Sequence, residues 1–236
     1  MGFGFYYFDY TYFIFIVPAL IITMIAQFRV KSTFQKYSRI ATAKNMSGAQ
    51  AADNVARFGG AMGVQVQHIA GNLTDNFDPR NNTISLSDNV YGSTTIAAVG
   101  VAAHEAGHAI QNAKGYFPNK IRTVLVPVTN IGSRLAMPLV IVGLFLPVQY
   151  DFVVTIGIAL YSFAVLFQLV TLPVEFNASF RAIRALDEAG ILYPDELEGA
   201  KKVLTAAAMT YLAASFTAIM SLLRLLILAG SRRGRD

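Results

Sequence analysis

The 236-residue chain is 54% hydrophobic and only 14% charged, carries a formal net charge of +5 and contains no cysteine. A soluble domain is charged at roughly a quarter of its positions, so this composition points to a bilayer as solvent. The missing thiols exclude a disulfide framework, a thiolate metal site and a cysteine nucleophile. The basic residues lie mainly in loops beside apolar runs, where they orient a membrane protein and give no sign of nucleic acid binding.

Residues 12–28, YFIFIVPALIITMIAQF, form an uncharged run of about the minimum length that crosses a hydrocarbon core about 30 Å thick. No basic leader or small-residue cleavage site accompanies it, so it reads as an anchor and not as a signal peptide. Residues 47–58, SGAQAADNVARF, predict a short amphipathic helix capped by Ser47 and broken at Gly59 and Gly60. In 63–71, GVQVQHIAG, and 82–88, NTISLSD, apolar and polar residues alternate with period two on either side of the turn-rich NLTDNFDPRNN; two short strands follow. Ser93 or Thr94 is then placed to cap a helix running to about Ala113.

Runs of spanning character return at 124–148, which contains LAMPLVIVGLFLPV, and at 152–172, FVVTIGIALYSFAVLFQLVTL. Only QYD separates them, a tight helical hairpin with both outer ends on one membrane side. Pro173 is placed to open a further helix with Glu175 in or near its first turn. A fourth run, 203–223, VLTAAAMTYLAASFTAIMSLL, is rich in the small residues that let membrane helices approach closely. The predicted fold is a mostly α membrane protein: about four transmembrane helices and a small α+β domain. The expected organisation is an anchor at 1–28, an extramembrane region at 29–122, a transmembrane hairpin at 123–172, a second extramembrane segment at 173–202, and a transmembrane helix with a basic tail at 203–236.

The stretch VAAHEAGHAIQ, 101–111, carries the chemistry. Residues four apart on a helix are offset by about 40°, so His104 and His108 project from one face and can share one metal ion. Glu105, beside them in the HExxH pattern, is placed to reach a water activated by that ion without ligating it, which is the position of a general base. With imidazole and carboxylate as the available donors, the expected cofactor is zinc, one Zn2+ per chain, and the expected reaction is peptide-bond hydrolysis.

A catalytic zinc site commonly uses three protein ligands. The subclass with a glycine three residues and a histidine six residues beyond the second histidine is excluded, because Gln111 and Lys114 stand there. His68 is a candidate, but it sits on a predicted strand. Glu175 fits better, whereas Glu188, Glu196 and Glu198 read as solvated helix charges, with Arg184 to Glu188 and Glu198 to Lys202 at pairing distance. The hairpin also brings the motif helix and Glu175 out on the same side. Loops 29–122 and 173–202 hold fourteen Lys or Arg, against four at Arg224, Arg232, Arg233 and Arg235, which favours a cytoplasmic catalytic face.

The stretches LTDNFDPRNNTISLSDNVYGSTTIAAVGVAAHEAGHAIQNA and LPVEFNASFRA resemble the YugP-like bacterial membrane zinc metallopeptidases, over most of the chain from about Ser47 to Leu223. The order of motif helix, hairpin and glutamate also resembles the HtpX membrane proteases. This resemblance implies a gluzincin-like site, with His104, His108 and Glu175 as metal ligands and Glu105 as the catalytic base. Two residues depart from the family pattern: Asn76 and Asn177 stand where His and Asp are expected. Smaller expectations are that NTISLSD is an edge strand pairing with extended substrate, that Tyr211 donates to an oxyanion, and that Arg181 supports the Glu175 region. Arg134 either pairs inside the bundle or marks a shorter span.

The expected function is an integral zinc endopeptidase of the bacterial cytoplasmic membrane. Its partners would be the lipid bilayer and a protein or peptide substrate, membrane-associated or misfolded; oligomeric state is not legible. A non-catalytic scaffold retaining zinc is the alternative, and the intact Glu105 argues against it. A transporter would show repeats or paired discontinuous helices, and neither is found. In this cysteine-free chain, a cysteine introduced at Asn82 is expected to label only from the cytoplasmic side and one at Gln149 only from outside. Labelling of both from one side would break the hairpin topology.

Overall fold

In the computed structural model, residues 10–233 are described. Residues 1–9 of the expected anchor and 234–236, including Arg235 of the basic tail, lie outside the described residues. The order of elements is a π-helical turn at Tyr12–Ile16 running into α1 (Val17–Tyr37), then α2 (Gly48–Phe58), β1 (Gln65–His68), β2 (Asn76–Asp78), β3 (Thr83–Leu86) and α3 (Ile96–Ala113). The long helices α4 (Phe117–Phe145), α5 (Phe152–Glu188) and α6 (Pro194–Arg233) follow. The fold is mostly helical, and four of its helices are long and apolar enough to cross a membrane. The chain divides into two compact units: one of Ala26–Lys120 with Pro173–Thr210, the other of Met1–Ile25, Ile121–Leu172 and Tyr211–Asp236.

The first of these units grows from local signals that the sequence displays. Ser47 and Gln50 form a reciprocal capping box, each satisfying a backbone N–H of the other, and the small face of α2 (Ala51, Ala52, Val55, Ala56) is buried. β3 is the centre of a three-stranded sheet in the order β1-β3-β2, parallel to β1 and antiparallel to β2. All four β3 residues are buried, and Ser85 meets its hydrogen-bonding need by accepting from Gln67 Nε2 at 3.0 Å. The core joins α2, β3, α3 and the 182–204 region through Val55, Ile84, Leu86, Val99, Leu186 and Val203. Within it, α3 is buried along most of its length.

The second unit is packed through small residues. A Cβ at Gly157 would lie 2.9 Å from the Ala136 carbonyl oxygen and 2.9 Å from Val140 N, so the hairpin helices meet nearly backbone to backbone. Thr23 and Thr217 hydroxyls lie 3.0 Å apart between α1 and α6. Arg232 donates to the carbonyls of Gly143 and Leu146, capping the end of α4. Arg224 is buried within α6, with its guanidinium 5.3 Å from the Tyr12 ring centroid. Exposed apolar side chains, among them Ile21, Met24, Ile131, Phe163 and Leu169, cover the outside, as a lipid-facing surface requires.

Several expectations need correction. The helices extend well beyond the apolar runs, α6 to 40 residues, on the order of 60 Å. Pro173 lies inside α5 and opens no new helix, so Glu175 belongs to the same rod as the third span. The turn-rich segment contains a strand, β2, paired to β3 through Asn76 to Ser85 and Phe77 to Ile84, which makes β3 central and removes its edge role. The cap of α3 is Thr95, whose hydroxyl accepts from Ala98 N, and not Ser93 or Thr94. Glu198 forms its salt bridge with Lys201, at 2.7 Å, with Lys202 a weaker electrostatic neighbour. Arg224 sits in a helix core and is no loop charge.

Glu196, expected to be solvated, is 7% exposed and accepts from Ala43 N at 2.6 Å and Tyr193 N at 2.9 Å. It ties the start of α6 to the loop after α1 and satisfies two backbone donors at once. Glu196→Ala should therefore cost about 1–3 kcal/mol. Faster amide exchange at Ala43 and Tyr193 would register it, and unchanged exchange at both would show the carboxylate to be dispensable.

Candidate metal centre

His104 and His108 stand one turn apart on α3 with ring centroids 4.8 Å apart and planes at 85°. Facing them on α5 is Glu175, 1% exposed. Its Oε2 lies 3.2 Å from His104 Nε2 and 3.5 Å from His108 Nε2. The three potential donor atoms fall within 4.8 Å of one another, so the residues that the sequence singled out converge from two helices 71 residues apart in the chain.

The approach of those helices depends on Gly107. A Cβ there would lie 2.3 Å from the Ala178 carbonyl oxygen, so no side chain fits between α3 and α5 at this level. Ala103, four residues before Gly107 and also buried, keeps the same face low, while Ala102, Ala106 and Ala109 are buried on the side of α3 away from His104.

The remaining ring nitrogens are engaged. His104 Nδ1 is 3.1 Å from Ser179 Oγ, one turn beyond Glu175 on α5. His108 Nδ1 is 3.0 Å from Gln111 Oε1. The amide of Gln111 fixes the direction of this bond, because its Nε2 donates to the Val174 carbonyl at 2.7 Å and to Asn177 Oδ1 at 3.1 Å. Its Oε1 must accept, so His108 carries its proton on Nδ1 and leaves the Nε2 lone pair facing Glu175. Asn177 Oδ1 also accepts from Arg181 Nε at 2.7 Å. A chain of side chains thus runs from Arg181 to His108, the outer support that a ligating imidazole normally has. Two Nε2 atoms and one carboxylate, oriented from behind, fit the donor preference of zinc.

Glu105 is 8% exposed and follows His104 directly on α3. The other candidates are not in the cluster. His68 Nε2 lies 2.7 Å from Asp88 Oδ1, and its ring packs on Tyr91. The Gly71 N–H and then the His68 ring hold the Asp88 carboxyl below its ordinary pKa. Asn76, on β2, donates to the Thr74 carbonyl, and Arg134 is exposed on α4. Arg181 does reach the Glu175 region, through Asn177. Sequence reading passed over Ser179 and the positive role of Gln111. Their spacing was a signal: Ser179 lies four residues after Glu175 and Gln111 three after His108, each on the ligand's own helical face.

Residues 12–230 match the family described as "Putative neutral zinc metallopeptidase". The chain is similar to the "Putative membrane protease YugP" of Bacillus subtilis (strain 168), at 41% identity over 220 residues covering 93% of this chain and 96% of that protein. No solved structure matches.

Gly107→Ala separates packing from propensity. Alanine favours the helix by about 1 kcal/mol, yet its methyl must push α5 away and should cost a net 1–3 kcal/mol or so. The displaced ligands should bind zinc roughly 10–100-fold more weakly. A raised melting temperature with unchanged zinc affinity in a chelator competition would show that this contact does not set the site.

Proposed function

This chain belongs to the neutral zinc metallopeptidase family, and on that premise we propose that it is an integral membrane endopeptidase cleaving membrane-associated or misfolded proteins from the cytoplasmic side. The observation that carries the reading is the convergence of His104, His108 and Glu175 on one point, with both histidines held by their Nδ1 atoms.

In this reading one zinc ion per chain is held by Nε2 of His104, Nε2 of His108 and a carboxylate oxygen of Glu175. When bound, zinc supplies a Lewis acid that polarises a substrate carbonyl and acidifies water. Glu105 holds the proton. Its carboxylate takes it from the attacking water and returns it to the leaving amine nitrogen, so that water and a peptide bond become a carboxyl and an amine. Being 8% exposed, Glu105 works in surroundings where bulk water competes poorly for that proton. Ser179 and Gln111 orient the imidazoles and take no part in proton transfer. The cytoplasmic placement is supported by the fourteen Lys or Arg in segments 29–122 and 173–202. The contrary charge is smaller than it first looks, because Arg232 caps α4 and Arg224 is buried.

The neighbouring carboxylates have different jobs, and that difference is measurable. Glu105→Gln should keep zinc and fold but lower hydrolysis of an unfolded model protein by roughly 100-fold to 10,000-fold, since an amide cannot accept the proton. Glu175→Gln should instead lower zinc content. Undiminished cleavage by the first variant, or unchanged zinc affinity in the second, would reverse the assignment.

A further inference from the structure

Behind the metal-site helices lies a cavity of about 440 Å3 among the ends of α2 and α3 and the last turns of α5. Three cations line it, Lys114, Arg181 and Arg184, together with the apolar side chains of Phe58, Ile110 and Phe180. Arg184 is neutralised by Glu188 at 2.7 Å. Lys114 and Arg181 have no carboxylate partner among the described residues. Arg181 uses Nε on Asn177 and stacks 5.8 Å from the Tyr116 ring centroid, and its terminal nitrogens are not spent on an acid. The cavity therefore combines an excess of positive charge with an apolar wall.

We propose that this cavity binds the phosphate of an anionic phospholipid, with Lys114 and Arg181 on the phosphate and the adjoining acyl chain along Phe58 and Phe180. Three observations favour a lipid. The wall is formed by helices and by Gly59 and Lys114, the residues that end α2 and α3, and it offers no free strand edge of the kind by which extended peptides are usually held. Its main element, α5, is itself one of the candidate membrane spans. Phe176 and Phe180, one turn apart on α5, are 46% and 65% exposed, and Phe58 is 50% exposed, so apolar surface continues outward from the cavity. Basic pockets on helices that leave a membrane are where anionic head groups are recognised.

The occupant would touch Arg181, the outer end of the chain that reaches His108 through Asn177 and Gln111. The inference does not depend on Glu105 being the base, and its readout is lipid retention, not cleavage.

The test uses the full, zinc-loaded chain in mild detergent with equal amounts of phosphatidylglycerol and phosphatidylcholine, and native mass spectrometry to count retained lipid. Wild type should retain phosphatidylglycerol preferentially, and millimolar inorganic phosphate should not displace it. Each cation removed should cost about fivefold, so Lys114→Gln/Arg181→Gln should reduce the preference roughly 25-fold. Lys114→Gln alone, an exposed site, should show the single step even if the double variant does not fold. Equal retention of the two lipids by wild type, an unchanged preference in Lys114→Gln, displacement by inorganic phosphate, or displacement by a peptide ending in a free carboxylate would each overturn the proposal.

Discussion

The backbone contact between Gly107 and Ala178 is the constraint on which the rest of the site depends. Helices that carry ordinary side chains at their crossing sit 8–10 Å apart, and Gly107 lets α3 and α5 come closer than any Cβ would permit. Two histidines on one helix and a carboxylate on another then reach a common point. Buried Ala103, one turn before Gly107, serves the same end by keeping bulk away from that face. A leucine-rich face would stabilise the helix pair through greater apolar burial, but it would hold the carboxylate out of reach.

Glu175, the proposed third ligand, gains its rigidity from being part of a 37-residue helix. Had Pro173 begun a separate segment, Glu175 would sit in a first turn, where helices fray. Inside α5 the missing proline N–H removes one helical hydrogen bond, yet the adjacent turns are fastened from outside: Gln111 donates to the Val174 carbonyl and Tyr116 to the Pro173 carbonyl. Gln111, which orients His108, thus also fastens the turn that begins at the proline.

How much of this could be read from the chain depended on whether a feature is local. The His104, Glu105, His108 pattern, the Ser47 box, the strand alternation and the uncharged runs all live within one turn or a few residues, and all were legible. The strand β2 was not, because NFD is short, lies between turn residues and is held by pairing to β3. Glu196 looked solvated because nothing near it in sequence announces that Ala43 donates to it from 153 residues away. Glu175 became readable as a ligand through topology and resemblance, and its contact with the histidines is a tertiary fact. Gln111 shows the opposite limit: its spacing from His108 was visible, but a glutamine in a helix has many ordinary uses, and only its bonds to Val174 and Asn177 distinguish it.

The neutral amide at Asn177 fixes the electrical character of the centre. An aspartate there would return a negative charge through the glutamine to His108, making that imidazole a stronger electron donor and offering a group that titrates in acid. With amides at both Gln111 and Asn177, the supporting chain carries no ionisable acid between Arg181 and the ring. Within the ligand set Glu175 is then the one anion, and a divalent ion held there keeps a net positive charge. Such a centre would trade some tenacity of metal retention for a stronger pull on electron density, and its support would keep its shape as proton activity changes.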